Sequence, residues 1–485
     1  MSIPDSVFLK IEGHGAETAM REILHLALKR TVKTTGEFPL HDFVISRART
    51  ENTSIHTETE IDFCGKCGKK EYIHKINPEK NDTQNMTDAV KMSFYYLFCE
   101  LYETSLPWGA QTGIRPAQLA AKKLKTLSFE GTVKSLAAEY GISEEKATLA
   151  ANVALNESRV LAEKPRRGVS LYIGIPFCPT RCLYCSFVSL PLAKQKKNIA
   201  PYVDCLVKEI EYVGEMLRSE GIITDSIYIG GGTPTSLDNE NLKKLLFAVK
   251  RAVDINSLAE YTIEAGRADT ITREKLESIK NFTPPDVRIS INPQTLNDSV
   301  LEHIGRRHTV RQFKDAFFMA RALGFDNINT DLIAGLPSET YEMFISSLNE
   351  LCEMSPENIT MHTMCIKRAA ALDGGMVDTS DETARKMVSE GGKILCENGY
   401  EPYYMYRQKD TLGGLENTGY SKRGKEGLYN ILMMEDLSTV IGLGAGGVSK
   451  LINPETNRID RVYNYKDPWE YIANFDEIIS RKRLK

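Results

Sequence analysis

The sequence contains few cysteines for its length, ten in 485 residues, and this scarcity excludes a small scaffold held together by disulfides. It also lacks an excess of either charge, because 61 basic and 65 acidic residues leave a net charge of −4. No general positive field is therefore available to attract nucleic acid. The N-terminus has neither a basic start nor an apolar run, and no stretch approaches the length of a membrane span. We expect a protein of the reducing cytoplasm without nucleic-acid partners.

Short apolar runs alternate with amphipathic segments over the middle of the chain. These runs are typical of buried strands and cover residues 171–177, 226–232, 261–266, 286–292, 327–336 and 358–366. Strands that alternate with helices through short links are typical of parallel sheets with right-handed crossovers. Six such units are two fewer than an eight-fold barrel contains. The pattern predicts an α/β fold with a partial, TIM-like (β/α)6 barrel, and polar residues gather where its strands end.

Two further segments flank the predicted barrel. Residues 1–165 mix strand and helix patterns, and the Pro- and Arg-containing stretch 163–170 has the composition of a linker. Residues 371–485 begin with an amphipathic helix and continue with aromatic and Gly-rich stretches. We predict a mixed α/β and helical N-terminal domain of unknown role, a barrel core over 166–370, and a C-terminal lobe that covers the substrate.

Three of the ten cysteines, Cys178, Cys182 and Cys185, lie in the loop that follows the first predicted barrel strand. A structural zinc site uses four ligands, and the other Cys-x-x-Cys pair, Cys64 and Cys67, lies in a different predicted domain. A disulfide would leave one of the three thiols unpaired, and the loop is not an apolar face on which thiols pack. Three thiolates suit an iron–sulfur cluster with one iron open to a small molecule. The spacing favours that interpretation.

The motif Cys-x-x-x-Cys-x-x-Cys, with Tyr184 directly before the last cysteine, resembles the signature of the radical S-adenosylmethionine (SAM) enzymes. The resemblance implies a [4Fe–4S] cluster whose open iron binds the amine and carboxylate of SAM. It also implies that one electron from the cluster splits SAM into methionine and a 5′-deoxyadenosyl radical, which takes a hydrogen atom from substrate. The predicted fold is then a radical SAM barrel.

Polar groups at the other strand ends fit such a site. The run GGGTPT at 230–235 lets backbone approach a ligand closely, with an ordinary turn as the alternative. Glu264 could accept ribose hydroxyls or form a salt bridge, and Arg306 could pair with the SAM carboxylate or be a solvated charge. Asp331 stands within an apolar strand, where burial of an unpaired carboxylate is costly. Gln294 follows the fourth strand.

Five motifs over residues 170–450 together resemble the oxygen-independent coproporphyrinogen III oxidases, also called coproporphyrinogen dehydrogenases. In chain order they are YIxIPFCxxxCxYC, GGGTPT, RISxxxQT, IGRxHT and DLIxGLP. The long N-terminal region with WGAQTGIRP (108–116) is most similar to the HemZ-type branch. The resemblance implies an oxidoreductase of porphyrin and haem biosynthesis that uses SAM to convert two propionates of coproporphyrinogen III to the vinyls of protoporphyrinogen IX.

The resemblance also implies roles for single residues. The three loop cysteines would bind the cluster, with Tyr184 beside it. Positions that match SAM contacts of the family are Tyr172, Gly231, Gly232, Thr233, Glu264, Gln294, Arg306 and Asp331. Tyr172 is expected to act in catalysis as well. Gly174 stands where many relatives have histidine, so a role assigned to that histidine does not transfer, and we expect Cys365 to be a packed core residue.

A substrate with four propionates requires apolar walls and several cations. The segment 402–409 supplies tyrosines together with Arg407 and Lys409, and Lys367 and Arg368 follow the sixth strand. We predict Arg407 as a catalytic, substrate-binding residue, with core packing of this segment as the alternative. A small electron donor such as flavodoxin or ferredoxin is the expected protein partner, and a monomer is favoured.

The alternative function is that of a haem-binding chaperone on the same fold. Relatives of that type carry a His-Asn…Tyr-Trp stretch before the last Gly-rich segment, whereas residues 427–447 contain neither histidine nor tryptophan. Haem ligation is thereby weakened. RNA modification is disfavoured because the chain lacks a basic aromatic patch. The stretch FCGKCGKK (63–70) is interpreted as a surface turn in preference to half of a zinc site.

Overall fold

The structure is a computed structural model of the chain. It describes residues 5–164, 168–187, 189–195, 197–366, 377–453, 455–456 and 458–482. The chain divides into two compact units, one within residues 1–151 and 407–415 and the other within 152–406 and 416–485. The predicted boundary at residue 165 differs from this division, and the predicted C-terminal lobe shares a unit with the barrel because its strands join the barrel sheet. The predicted linker lies partly outside the described residues.

The first unit is a five-stranded sheet with helices. Its strands are β1 (Ser6–Glu12), β2 (Thr31–Lys33), β3 (Phe43–Glu51), β4 (Ser54–Phe63) and β5 (Lys66–Lys75), in the order β2-β1-β3-β4-β5. Its helices are α1 (Glu17–Leu28), α2 (Asp82–Tyr102), α3 (Pro116–Leu124) and α4 (Phe129–Tyr140), and α5 (Glu144–Glu163) begins here and ends in the second unit.

Sequence pattern explains these elements directly. Every second residue of β4 is buried, as its alternating sequence predicts. Four apolar residues of α1 at helical spacing are buried, and Asn81 and Gln84 form a capping box that starts α2. These elements give the first unit the mixture of strands and helices that its sequence indicates. Cys64 is exposed in the tight turn between β4 and β5, and Cys67 is exposed at the start of β5.

The second unit is built on a larger sheet. Its strands are β6 (Val169–Ile175), β7 (Phe177–Cys178), β8 (Leu190–Pro191), β9 (Thr224–Gly231), β10 (Glu260–Glu264), β11 (Arg288–Ser290), β12 (Ile328–Ala334), β13 (Asn358–Thr363), β14 (Glu401–Arg407), β15 (Glu416–Ser421), β16 (Val440–Leu443), β17 (Val448–Ile452) and β18 (Ile459–Tyr463). In the described part of the chain, eleven of them form one sheet in the order β14-β15-β13-β12-β11-β10-β9-β6-β16-β17-β18, and β7 pairs with β8.

Helices connect these strands. They are α6 (Ile199–Ser219), α7 (Asn239–Ala252), α8 (Arg273–Phe282), α9 (Asp298–His303), α10 (Val310–Ala322), α11 (Tyr341–Met354), α12 (Asp381–Glu397), α13 (Leu428–Met434), α14 (Pro468–Ala473) and α15 (Phe475–Ser480). In the described ranges, no helix combines the length and the apolar character that a bilayer crossing requires.

The six predicted barrel strands are confirmed as β6, β9, β10, β11, β12 and β13, and all five neighbouring pairs among them are parallel. The partial (β/α)6 barrel is thus the architecture of the unit. Strand β15 adds to β13 in the antiparallel direction, and β16 adds to β6 in the parallel direction. Strand β16 was not predicted, because four residues inside a Gly-rich run are too short to show a period.

Alternation along the strands gives the sheet two different faces. Apolar residues such as Ile173, Ile229 and Ile289 are fully buried on the face that the amphipathic helices cover. The other, inner face is polar, and its side chains bond across neighbouring strands. Ser226 donates to Ser170, and Asn329 donates to Ser290. Polar side chains therefore line the inner face. Those at the C-terminal ends of the strands lie at the same edge of the sheet as the cysteine loop.

Candidate active site

The cysteine loop follows β6 and is anchored by hydrogen bonds to two backbone carbonyls. Leu183 N–H donates to the Ile304 carbonyl at 3.0 Å, and the Thr180 hydroxyl donates to Gly305 O at 3.1 Å. Cys182 is buried, and Cys178 and Cys185 are partly buried. Burial raises the pKa of Cys178 to about 11, and the nearby Cys182 and Cys185 thiols add to the rise. The three thiols thus lie near one another, and their role as cluster ligands stays a prediction.

The donor set fits an iron–sulfur cluster. Over the described ranges, no group of three or more His, Cys, Asp or Glu side chains is arranged to hold one metal ion. Cys182 and Cys185 both act on the pKa of Cys178, so the three thiols lie near one another. Thiolates are the ligands that hold iron–sulfur clusters, and a structural zinc site would require a fourth ligand.

Two backbone hydrogen bonds hold the Gly-rich turn after β9 against the start of the cysteine loop. Gly232 N–H donates to Ile175 O at 2.7 Å, and Thr233 N–H donates to Phe177 O at 2.8 Å. Gly231 has a φ of +105°, which glycine adopts without strain. These bonds bring the Thr233 hydroxyl to 3.5 Å from Cys178 Sγ. The predicted Gly-rich site thus lies against the cysteine loop.

Arg306 is buried and fixes the aromatic ring beside the cysteines. Its Nη1 donates to the Tyr184 hydroxyl at 3.0 Å, and its Nη2 donates to the carbonyls of Asn292 and Gly266. The alternative of a solvated charge is wrong for Arg306. His308 is also buried, and burial together with the neighbouring guanidinium groups of Arg306 and Arg267 lowers its pKa to about 3. A neutral imidazole therefore stands beside two cations.

Stacked tyrosines and a carboxyl group form another part of the inner face. The rings of Tyr172 and Tyr228 stack at 6.2 Å, and those of Tyr228 and Tyr429 stack at 4.7 Å. The Tyr228 hydroxyl donates to Glu264 Oε1. Burial raises the pKa of Glu264 to about 7, although the hydrogen bond from Tyr228 lowers it. The Asp331 charge adds to the rise. Glu264 thus titrates near neutral pH.

Asp331 lies in a short chain of polar side chains. Asn329 Nδ2 donates to Asp331 Oδ1 at 2.9 Å, and His362 Nε2 lies 3.7 Å from Asp331 Oδ2. The amide oxygen of Asn417 accepts from Thr363 N–H, and it also lies 3.3 Å from His362 Nδ1. Because that oxygen is an acceptor, His362 Nδ1 is the nitrogen that donates to it, and His362 Nε2 faces the Asp331 carboxylate.

Gln294 holds the strand end beside Asp331. Its N–H donates to Asp331 O at 2.9 Å, its carbonyl accepts from Ile333 N–H at 3.0 Å, and its φ is +71°. A non-glycine residue in this region is strained and persists where its surroundings hold it. Sequence analysis named Asp331 and Gln294 but missed His362, although a polar residue inside the apolar run 358–366 is the same kind of signal.

Arg267 is a second residue that sequence analysis missed. It is 3% exposed, and its Nη1 lies 3.8 Å from Cys182 Sγ and donates to the Thr180 carbonyl at 3.2 Å. Its Nε and Nη2 both donate to the Asp269 carboxylate. The sequence offers one signal for it, since Arg267 follows the β10 strand end by three residues. The structure thus adds a cation to the cysteine loop.

Arg407 belongs to the first unit. Its Nη1 donates to Gln111 O, its Nη2 donates to Gly414 O at 3.2 Å, and its guanidinium lies 5.5 Å from the Trp108 ring centroid. The side chain is buried in these contacts. Its predicted catalytic role stays a prediction. Cys365 is buried, as expected, and Lys367 and Arg368 lie outside the described residues.

Replacing Glu264 with glutamine is expected to change how stability depends on pH. The pKa of Glu264 rises from its usual 4.5 to about 7 on folding, so its contribution to stability is present below pH 4.5 and is lost as the pH rises through 7. Glutamine has no such loss. Urea unfolding should show E264Q gaining about 1–3 kcal/mol relative to the unsubstituted chain between pH 4.5 and pH 8. An equal difference at both pH values would contradict the shifted pKa.

Comparison with known proteins identifies the family. The profile of the radical SAM superfamily matches residues 172–351. The oxygen-independent coproporphyrinogen-III oxidase-like protein HemZ of Bacillus subtilis (strain 168) is 37% identical over 462 residues, which are 92% of this chain and 90% of that protein. The chain belongs to the HemZ-type branch of the radical SAM superfamily. The predicted family is thus confirmed.

Other relatives are haem chaperones by name. The heme chaperone HemW of Lactococcus lactis subsp. lactis (strain IL1403) is 30% identical over 66% of this chain and 79% of that protein. Among solved structures, the coproporphyrinogen III oxidase HemN from Escherichia coli, a radical SAM enzyme, superposes with a TM-score of 0.52. That match has 22% identity and covers 67% of this chain and 73% of HemN, and it confirms the radical SAM fold.

Proposed function

We propose that this chain binds a [4Fe–4S] cluster and SAM and uses them to convert two propionates of coproporphyrinogen III to vinyl groups. The observation that carries the proposal is the meeting of three thiols, a Gly-rich turn and a polar inner face at one end of the parallel sheet. The substrate is inferred from the similarity to the oxidase-like HemZ protein over 92% of the chain.

Each group of site residues has a separate role in the proposed reaction. Cys178, Cys182 and Cys185 would hold the cluster, and the backbone of Gly231 and Gly232 would let SAM approach closely. When bound, the cluster and SAM would supply one-electron cleavage and a radical that accepts a hydrogen atom. Glu264 and Asp331 offer carboxylates to hydroxyl groups.

Aromatic rings would shield the site from water. Tyr184, fixed by Arg306, lies beside the cysteines, and the Tyr172 and Tyr228 rings stack on the inner face. The exclusion of water protects a reactive radical from side reactions. Tyr172 is therefore proposed to act in catalysis by covering the reacting atoms, with Gln294 fixing the strand end opposite.

The reaction is balanced as an oxidation. In each round one propionate side chain loses a hydrogen atom from its β-carbon, then CO2 and one electron, which leaves a vinyl group. The electron must pass to an external one-electron acceptor. A small reduced carrier such as flavodoxin or ferredoxin is proposed to supply the electron that starts each round, and the chain is proposed to act as a monomer.

The test is anaerobic incubation of the reconstituted chain with SAM, reduced flavodoxin, an electron acceptor and coproporphyrinogen III. We expect 5′-deoxyadenosine and a divinyl product, measured by liquid chromatography and mass spectrometry. Omission of SAM is the control and should abolish both products. Formation of 5′-deoxyadenosine without any vinyl product would reject the substrate and retain the SAM chemistry.

A haem chaperone is the second candidate, because relatives with the name heme chaperone HemW match much of the chain. Against it, α13 and the Gly-rich segment that follows contain no histidine or tryptophan over 427–447. Haem titration followed by absorbance distinguishes the two functions. Stable, stoichiometric haem binding in a chain that makes no vinyl product would favour the chaperone.

A further inference from the structure

Arg267 connects a carboxylate on one side with the cysteine loop on the other. Toward the carboxylate, Nε and Nη2 donate to the two oxygens of Asp269 at 3.1 Å each. Toward the loop, Nη1 donates to the carbonyl and the hydroxyl of Thr180 at 3.2 and 3.1 Å and lies 3.8 Å from Cys182 Sγ. All three guanidinium nitrogens are therefore used, and the side chain is 3% exposed.

The burial of Arg267 costs free energy unless other groups compensate its charge. A buried guanidinium is desolvated, and a bidentate carboxylate is the partner that compensates it best. The Asp269 pair supplies that compensation and leaves Nη1 pointing at the loop. The neighbouring Arg306 directs its Nη1 to the Tyr184 hydroxyl and its Nη2 to carbonyls. The two buried arginines thus have different targets, and Arg267 is the one that contacts a cysteine sulfur.

We propose that Arg267 is a positioning residue that orients the Cys182 thiolate and raises the reduction potential of the cluster. The inference rests on the proposed function, because it requires the cluster to bind at the three cysteines. A positive charge and an N–H donor near a cluster sulfur both stabilise the reduced, more negative state. A donor that bonds a metal-ligating side chain also fixes the orientation of that side chain.

Asp269 has the opposite electrostatic effect. Its carboxylate holds the guanidinium in place and offsets part of its charge, and its side chain is 20% exposed. Asparagine at this position keeps an oxygen that accepts from Arg267 Nε while it removes the negative charge. The two neutralising substitutions, Arg267→Gln and Asp269→Asn, should therefore move the reduction potential in opposite directions.

The test is a redox titration of the reconstituted chain, with dithionite as reductant and the cluster followed by EPR. We expect Arg267→Gln to lower the ratio of reduced to oxidised cluster about tenfold at a fixed potential, a shift of about 59 mV to more negative values for one electron. Asp269→Asn should shift the potential to more positive values. The control is Arg273→Gln on α8, whose side chain is 60% exposed and should leave the potential unchanged.

A role in folding alone would lower the iron content in both variants without opposite shifts in potential. Unchanged potentials, or shifts in the same direction, would therefore overturn the inference. If Arg267→Gln fails to hold a cluster, the reduction potential of the Asp269→Asn variant tests the inference instead. An unchanged or more negative potential in that variant overturns the inference. An unsubstituted chain that assembles no cluster would reject the proposed function as well, whereas a cluster with an unmoved potential rejects only the role of Arg267.

Discussion

Replacing Cys182 with alanine is expected to reduce cluster content and SAM cleavage to background. Cys182 is the buried member of the three loop thiols, and it is the sulfur that Arg267 approaches. Two remaining thiolates cannot hold a cluster that already has only three protein ligands. Iron analysis, EPR and 5′-deoxyadenosine formation after anaerobic reconstitution measure the result.

The matched control is Cys396→Ala, which removes an exposed thiol at the end of α12. That variant should keep the iron content and the SAM cleavage of the unsubstituted chain. The site assignment would fail if Cys182→Ala retained a full cluster, or if Cys396→Ala lost it equally. Circular dichroism of both variants separates loss of the cluster from loss of the fold.

Replacing Gly232 with alanine is expected to destabilise the second unit and abolish SAM binding. A Cβ at this position would lie 2.6 Å from the Phe177 carbonyl oxygen and 2.9 Å from the Ile175 carbonyl oxygen. Both are backbone atoms, so the turn must move away from the cysteine loop. Overpacking of this kind costs about 1–3 kcal/mol. Urea unfolding of the cluster-free chain and equilibrium dialysis with SAM measure the two effects.

Gly266→Ala is the matched control at a neighbouring strand end. Its Cβ would meet Asn292 Nδ2 at 3.5 Å, which is an ordinary contact. We expect that variant to unfold at nearly the same urea concentration as the unsubstituted chain. Equal stability and equal SAM affinity of the two alanine variants would contradict the prediction that the Gly-rich turn must lie close to the loop.

The barrel strands could be predicted because each is an apolar run bounded by polar residues. Asp331 could be predicted for the same reason, since a carboxylate within such a run stands out. The structure places it beside Asn329, two residues earlier on the same strand, and within 3.7 Å of His362 on the neighbouring strand, and the approach of His362 cannot be inferred from either strand alone. Hydrophobic periodicity and composition predict whether a segment is a helix or a strand. Contacts between side chains on neighbouring strands depend on the order and register of the strands, which local pattern does not contain.

Arg267 and Arg407 show what sequence pattern alone cannot supply. Arg267 lies after β10, and its partner Cys182 lies in the loop after β6, so their approach requires the sheet order. Arg407 bonds the carbonyl of Gln111, which is 296 residues away along the chain. The aromatic composition around Arg407 suggested a substrate cavity, but its observed partners are backbone carbonyls of the first unit.

The pairing of β6 with β16 has a consequence for synthesis of the chain. Strand β6 leads into the cysteine loop, and its outer neighbour begins only at Val440, near the C-terminus. During translation, β6 therefore presents an unpaired edge until almost the whole polypeptide has left the ribosome. Exposed edges of this kind invite wrong pairing between chains. Truncation before Val440 should therefore yield an aggregating chain.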